Sequence, residues 1–452
     1  MDTNPLPPEV AAGTVPACGR LFDLGEPLAA PAPSGGSPRL RFANREQAEM
    51  RVCALDSLLV EDHPVRAVWA YVQGLDLSEL LVQIRAVEGG VGASATDPRI
   101  LLALWLYATL RGVGSARELD RRCRDEITFQ WICGGVSLNY HTLADFRVRH
   151  GEILDRLLTQ SVAVLLDQDL VSMERVAQDG MKVRASAGAA SFRRRTRLEQ
   201  FHDEAEAQLQ VLKKELETDP TAATRRQQAA RQRAAQERAA RVRRALEQLP
   251  AIEASKAAKE RDKARVSTTD CEARVMKMGD GGFRPAFNVQ LATDTQTQII
   301  TGVDVTNSGG DQGKLAPMVE QHEARYAEKP KEYLVDGGFA KKEDIEKVEQ
   351  EGTTVYAPVQ ASKDPERDPH TPRPDDTPKV AQWRQRMGTA AAKEIYKERA
   401  STAECVNAHA RNRGLYQFRV RGLAKVKAVV LLYALAHNLM RAVALRAERE
   451  NG

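Results

Sequence analysis

The chain reads as an α/β protein with three parts: a mixed five-stranded sheet with helices packed on its faces, an all-helical region before it, and a helical hairpin set into it. Three observations predict this. Apolar residues alternate with a period of two in "ERVAQDGMKVRASA", in "FRPAFNVQLATDTQTQIITGVDV" and in the short runs ending at "YLVD" and "TTVYAPV". Helical patterns fall between the later strands, in "GKLAPMVEQHEARYAE" and "KKEDIEKVEQ". With the long polar helices between about 191 and 267 set aside, the order is strand, strand, strand, helix, strand, helix, strand, helix. A strand meander followed by strand–helix alternation folds as a mixed sheet covered by helices.

Each segment has its own signals. Residues 1–45 are rich in Pro, Gly and Ala without periodicity, and read as a flexible arm. Residues 46–170 turn helical. "DPRILLALWLYATLRG" offers Asp97 as an N-cap, Pro98 at the first helical position and Gly112 as a stop. "SARELDRRCRDEITFQWICGG" brings its own cap, Ser115, and "SLNYHTLADFRVRHGEILDRLLTQSVAVLL" adds further helices. From 191 to 267, Leu198, Phe201, Ala205, Leu209, Leu212 and Leu216 recur at steps of three and four. Pro220 interrupts, and Ala235, Ala239, Val242, Leu246 and Leu249 resume the spacing, predicting two helices with one apolar seam. "KDPERDPHTPRPDDTPK" reads as an exposed loop. The chain from there to its end is helical, and "AVVLLYALAHNLMRAVAL" is interrupted by His437, Asn438 and Arg441, which predicts a buried helix and no membrane span.

Composition narrows the function classes. The 452 residues carry 42% hydrophobic and 28% charged side chains with a net charge of +4, as in an ordinary soluble protein. The six cysteines contain no C-x-x-C pair, which argues against a zinc ribbon or a disulfide framework and fits a reducing cytosol. The first twenty residues lack a basic stretch followed by an apolar one, so no signal peptide is expected. No H-E-x-x-H pair occurs among the eight histidines.

The chemistry is suggested by "KEYLVDGGFAKKEDIEK" and "RVAQDGMKVRASAG". In each, a strand-like run carries an aspartate, Asp336 or Asp179, followed at once by glycine. Were these strands neighbours, the two carboxylates would converge at a sheet edge where ligands collect. Bare carboxylates repel, so a hard divalent cation such as Mg²⁺ would resolve the conflict. The glycines Gly180, Gly337 and Gly338 would leave room for a substrate backbone. Glu404 in "YKERASTAECVNAHARNRGLYQFRVRGLAKVKA" is the third candidate ligand, with Arg411, Arg413, Arg419 and Arg421 downstream as a phosphate-binding surface. Glu394 and Glu398 compete for that role. Capping or turn duty is expected of Asp270, Asp304 and Asp311.

The stretches "DGMKVRASA", "TTDCEARVMKMGDGGFRPAFNVQLATD", "YLVDGGF" and "RGLAKVKAVVLLYALAHNLMR" resemble, in this order, the DDE transposases of bacterial insertion sequences. The helical region "DPRILLALWLYATLRGVGSARELDRRC…YHTLADFRVRH" resembles their N-terminal domain, so the likeness covers about residues 50–445. It implies an RNase H-like fold in residues 171–190 and 268–452, a DNA-binding domain in 46–170 and a helical insertion in 191–267. It also implies Asp179, Asp336 and Glu404 as catalytic residues holding two Mg²⁺ ions, with Mn²⁺ as an alternative. Lys182, Arg399, Arg411, Arg413 and Arg421 become DNA-binding candidates. The implied partners are double-stranded DNA (terminal inverted repeats and target) and a second copy of the chain, in the bacterial cytoplasm at the nucleoid, with no membrane. Relatives place Tyr, Arg and Glu as Y-x-x-R-x-x-x-E, whereas four residues separate Arg399 from Glu404 here. A catalytically inactive, transposase-derived DNA-binding regulator and a metal-dependent RNase H-like nuclease are compatible with the same residues.

Overall fold

The computed structural model describes residues 52–90, 93–218, 222–361 and 368–451. The predicted N-terminal arm and Pro220 lie outside them. Asp97 caps the helix Pro98–Leu110 by accepting from Arg99 N at 2.8 Å, and Ser115 caps Ala116–Asp125 through Glu118 N. These helices are followed by Ile127–Cys133, Tyr140–Arg149 and Gly151–Asp167. Their apolar stripes meet the sheet in one continuous core that runs from Val65 to Ala442.

The strands are β1 (Arg175–Arg184), β2 (Phe192–Arg193), β3 (Val266–Ser267), β4 (Arg274–Lys277), β5 (Phe283–Asp294), β6 (Ile300–Thr306), β7 (Glu332–Leu334) and β8 (Thr354–Tyr356). β5 runs antiparallel to β1 along one edge, and its other edge pairs with both β4 and β6. On the far side of β1, β7 and then β8 are added in parallel. The main sheet therefore has six strands among the described residues, where five were expected. The twelve-residue β5 is long enough to pair two short strands end to end on one edge, so β4 adds a strand without widening the sheet.

β2 and β3 pair antiparallel and bring together the two ends of the segment that carries the helices Arg195–Thr218 and Ala222–Ala254. These helices run antiparallel, with Arg195 paired to Glu253 and Glu206 to Arg243. Leu198, Val242, Ala245 and Leu249 form a small core of their own with Ala264 and Val266.

Helix Leu423–Asn451 is long and apolar enough to cross a membrane by length and composition, yet most of its apolar window is buried inside the protein. The polar interruptions have defined partners there. Asn438 donates to Ile300 O and accepts from Ile300 N, both at 2.8 Å, supplying the edge strand β6 with the bonds a further strand would make. His437 Nε2 meets Gln298 O and Arg441 Nε donates to Thr297 O, so the turn before β6 is held as well. The start of the helix is capped from the β3–β4 connection: Asp270 accepts from Gly422 N at 3.1 Å and Glu272 from Leu423 N at 2.9 Å. Asp270 therefore has the capping role expected of it.

The described part of the acidic loop, from residue 368, is less exposed than the sequence predicts. The Asp376 carboxylate is fully enclosed against Arg384 at 2.7 Å, with Lys342 at 2.9 Å. A carboxylate in such a loop can be buried because two cations from neighbouring helices neutralise it.

Candidate active site

β1 and β7 pair Arg175 with Glu332, Val176 with Tyr333 and Ala177 with Leu334. Asp179 and Asp336 each lie two residues beyond the last of these pairs. β7 ends at Leu334 while β1 continues, so the two strands part at this level. Asp336 begins a turn: its Oδ1 accepts from Gly338 N at 2.8 Å.

The third acid arrives on a helix that changes its winding. Ala390–Arg399 is α-helical, Ala400–Glu404 is a π turn, and Cys405–Asn412 resumes the α-helix. In an α-helix, residues five apart point roughly 140° away from each other. The wider π turn takes up one extra residue and brings Arg399 and Glu404 to the same side. The four-residue spacing between them, irregular against the family pattern, is absorbed in this way.

All three acids meet Arg399. Its Nη2 lies 3.3 Å from Asp179 Oδ1 and 3.8 Å from Asp336 Oδ2, and its Nη1 lies 3.5 Å from Glu404 Oε1. The guanidinium is only 11% exposed and Asp179 17%, whereas Asp336 is 38% and Glu404 64% exposed. The cluster thus has a buried floor and an open rim. Arg399 Nε is buried without a hydrogen-bond partner. Burial pushes the Asp179 carboxyl above its ordinary range; Arg399 opposes this, and the Asp336 charge reinforces it.

Two supporting residues escape sequence reading. Asn407 Nδ2 donates to Asp179 Oδ2 at 2.8 Å. Its position three residues after Glu404, on the same helical face, is the signal that could have singled it out. Arg175, at the start of β1, pairs with both Glu332 and Glu398 and so ties the helix carrying Arg399 to the sheet. That contact occupies Glu398, and Glu394 pairs with Lys397, which leaves Glu404 as the glutamate at the cluster.

None of the remaining predicted residues has an ion pair with the three acids among the described residues. Lys182 lies 3.8 Å from Asp311. Arg421 is exposed and its Nε donates to Ser186 O, while Arg411 is exposed on the last turn of Cys405–Asn412. Arg413 is half-buried against Gly112, with Nη1 unpartnered.

Gly180 and Gly338 need a different reason from the one expected. A Cβ on Gly180 would lie 2.3 Å from Asp311 Oδ1 and 2.6 Å from Gln290 Nε2, so the protein's own side chains fill that space. A Cβ on Gly338 would lie 2.9 Å from Asp336 Oδ1, within the turn itself. Asp311 is more than a turn residue: it accepts from Asn288 Nδ2 and Gln290 Nε2, both at 2.7 Å.

The oxygen-only donors Asp179, Asp336 and Glu404 match the chemistry of a hard divalent cation, and their mutual repulsion calls for positive charge. Among the described residues, no three such side chains are close enough to chelate a metal as they stand. Arg399 supplies the positive charge instead.

Residues 254–439 match the transposase DDE domain family, and residues 54–149 match a second transposase domain family, DUF772. Together the two matches span well over half of the chain, in the order helical region then sheet. No curated protein and no solved structure matches it.

Proposed function

Since the chain belongs to the DDE transposases of insertion sequences, we propose that it binds the terminal inverted repeats of its own element, cleaves the DNA there and joins the ends to target DNA. The observation that carries this reading is the convergence of Asp179, Asp336 and Glu404, from three distant segments, on one buried guanidinium. The strand order β6-β5-β1-β7-β8, three antiparallel strands followed by two parallel ones, supports an RNase H-like core in 171–190 and 268–452. The helical hairpin in 191–267 is then an insertion, and 46–170 a DNA-binding domain. A homodimer on DNA, acting at the nucleoid, is part of the same reading.

Asp179, Asp336 and Glu404 would hold the divalent ions, two Mg²⁺ or Mn²⁺. Such ions, when bound, supply Lewis-acid stabilisation to the oxygens of the scissile phosphodiester. Asp179 is oriented by Asn407 and by Gly180 N, so its carboxylate keeps one direction through the reaction. Glu404, on the exposed rim, admits the DNA backbone. Arg399 reaches the phosphate from inside the cluster, and Lys182, Arg411, Arg413 and Arg421 attract the flanking phosphates. Water or a DNA 3′-hydroxyl is the nucleophile, so no side chain forms a covalent intermediate.

The test is cleavage and strand transfer on terminal-repeat DNA with Mg²⁺, comparing the native protein with Asp336→Ala. Products from the native protein alone support the reading, and equal products from both overturn it. Hydrolysis without joined products would favour a nuclease.

A further inference from the structure

We infer that Arg399 is the resident counter-ion of the acid cluster and exchanges with the divalent cation, so that guanidinium and metal compete for the same three carboxylates. The inference rests on the reading of Asp179, Asp336 and Glu404 as metal ligands. One cation touches all three acids, through two different nitrogens, at 3.3, 3.8 and 3.5 Å. These separations exceed the roughly 2.0–2.1 Å at which oxygens gather around Mg²⁺. With Arg399 in place, the carboxylates are held around a larger group, and the cluster does not form a chelating set among the described residues.

Two features suit an exchange. The guanidinium is poorly satisfied: its buried Nε has no partner, and none of its three carboxylate contacts is shorter than 3.3 Å. An arginine with this few good bonds leaves at low cost. The π turn that follows it is a locally loosened helix, with longer-range bonding than the α-helix on either side. Loading a cation would relieve the repulsion that Arg399 now relieves, and would free its guanidinium for the phosphate of incoming DNA.

Competition can be measured without DNA. The Mn²⁺ affinity of the full chain is determined by calorimetric titration for the native protein, Arg399→Gln and Arg399→Lys. Thermal midpoints in chelator and in saturating Mn²⁺ are read alongside. Arg399→Gln keeps a polar group of similar reach without the charge, and Arg399→Lys keeps the charge without the fork. Arg399→Gln is expected to bind Mn²⁺ about tenfold more tightly than the native protein. It should lose stability in chelator, where the acids repel, and gain more than the native protein on adding Mn²⁺. Arg399→Lys should stay close to native affinity. Equal or weaker binding by Arg399→Gln, with the native protein binding normally, overturns the exchange alone. No Mn²⁺ binding by any of the three overturns the metal-site reading itself.

Discussion

Asn407 donates its amide to Asp179 Oδ2 at 2.8 Å, while the other oxygen of the same carboxylate faces Arg399. Asp179 is thereby held from both sides, by two residues of one helical segment eight positions apart in sequence. The orientation of the proposed ligand depends on a residue that itself carries no charge.

Asn407→Ala removes that support without removing an acid. Metal-dependent cleavage is expected to fall by about 10–100-fold, as when a ligand-orienting partner is lost. Steady-state rates at saturating Mg²⁺ check this, with unfolding in urea as a control for stability. An unchanged rate in a folded variant would show that the amide does not orient Asp179.

Gly180 and Asp311 form a close-packed pair. Gly180→Ala should destabilise the protein by about 1–3 kcal/mol, because the new methyl overlaps Asp311 Oδ1 and Gln290 Nε2. Adding Asp311→Ala should recover part of this loss. Urea midpoints in a double-mutant cycle test the coupling, and strict additivity would contradict the contact.

The edge strand β6 depends on Asn438. Asn438→Leu leaves the N–H and C=O of Ile300 buried and unpaired, at a cost of about 2–4 kcal/mol. A thermal midpoint lower by several degrees is expected, with faster hydrogen exchange along 300–306 than elsewhere in the sheet. Uniform exchange across the sheet would assign the loss to another cause.

Two buried histidines make the fold acid-sensitive. His322, between Thr301 Oγ1 and Met318 O, and His437, beside Gln298 O, are each held down to about 4 by burial. In the unfolded chain each titrates near the ordinary 6.5. Between these values the unfolded state binds protons that the folded state refuses, so stability falls as pH drops from about 6.5 to 4. Each contributes a loss of about 3 kcal/mol across that window. Urea midpoints at pH 7, 5.5 and 4.5 should show a shallower decline for His322→Gln and His437→Gln than for the native protein. Parallel declines in all three would mean that the imidazoles are not the titrating groups.

Helix caps, strand alternation and Asp-Gly turns are local, so Asp97, Ser115 and the glycine-flanked aspartates could be read from the residues themselves. The three acids were legible too, since their order and neighbouring segments carry the family resemblance. The extra residue between Arg399 and Glu404 was visible only as an irregularity. Its accommodation by a π turn required the packed helix.

The sequence by itself determined the kinds of element, their order and the acidic residues at their ends, because periodicity and turn chemistry act over a few neighbouring positions. Only the tertiary structure decided that Arg399 sits among all three acids, that Asn407 steadies Asp179, that Asp311 fills the space above Gly180 and that β4 adds a sixth strand. These depend on strand register and on contacts between residues as far as 228 positions apart, where packing and the neutralisation of buried charge select the partners.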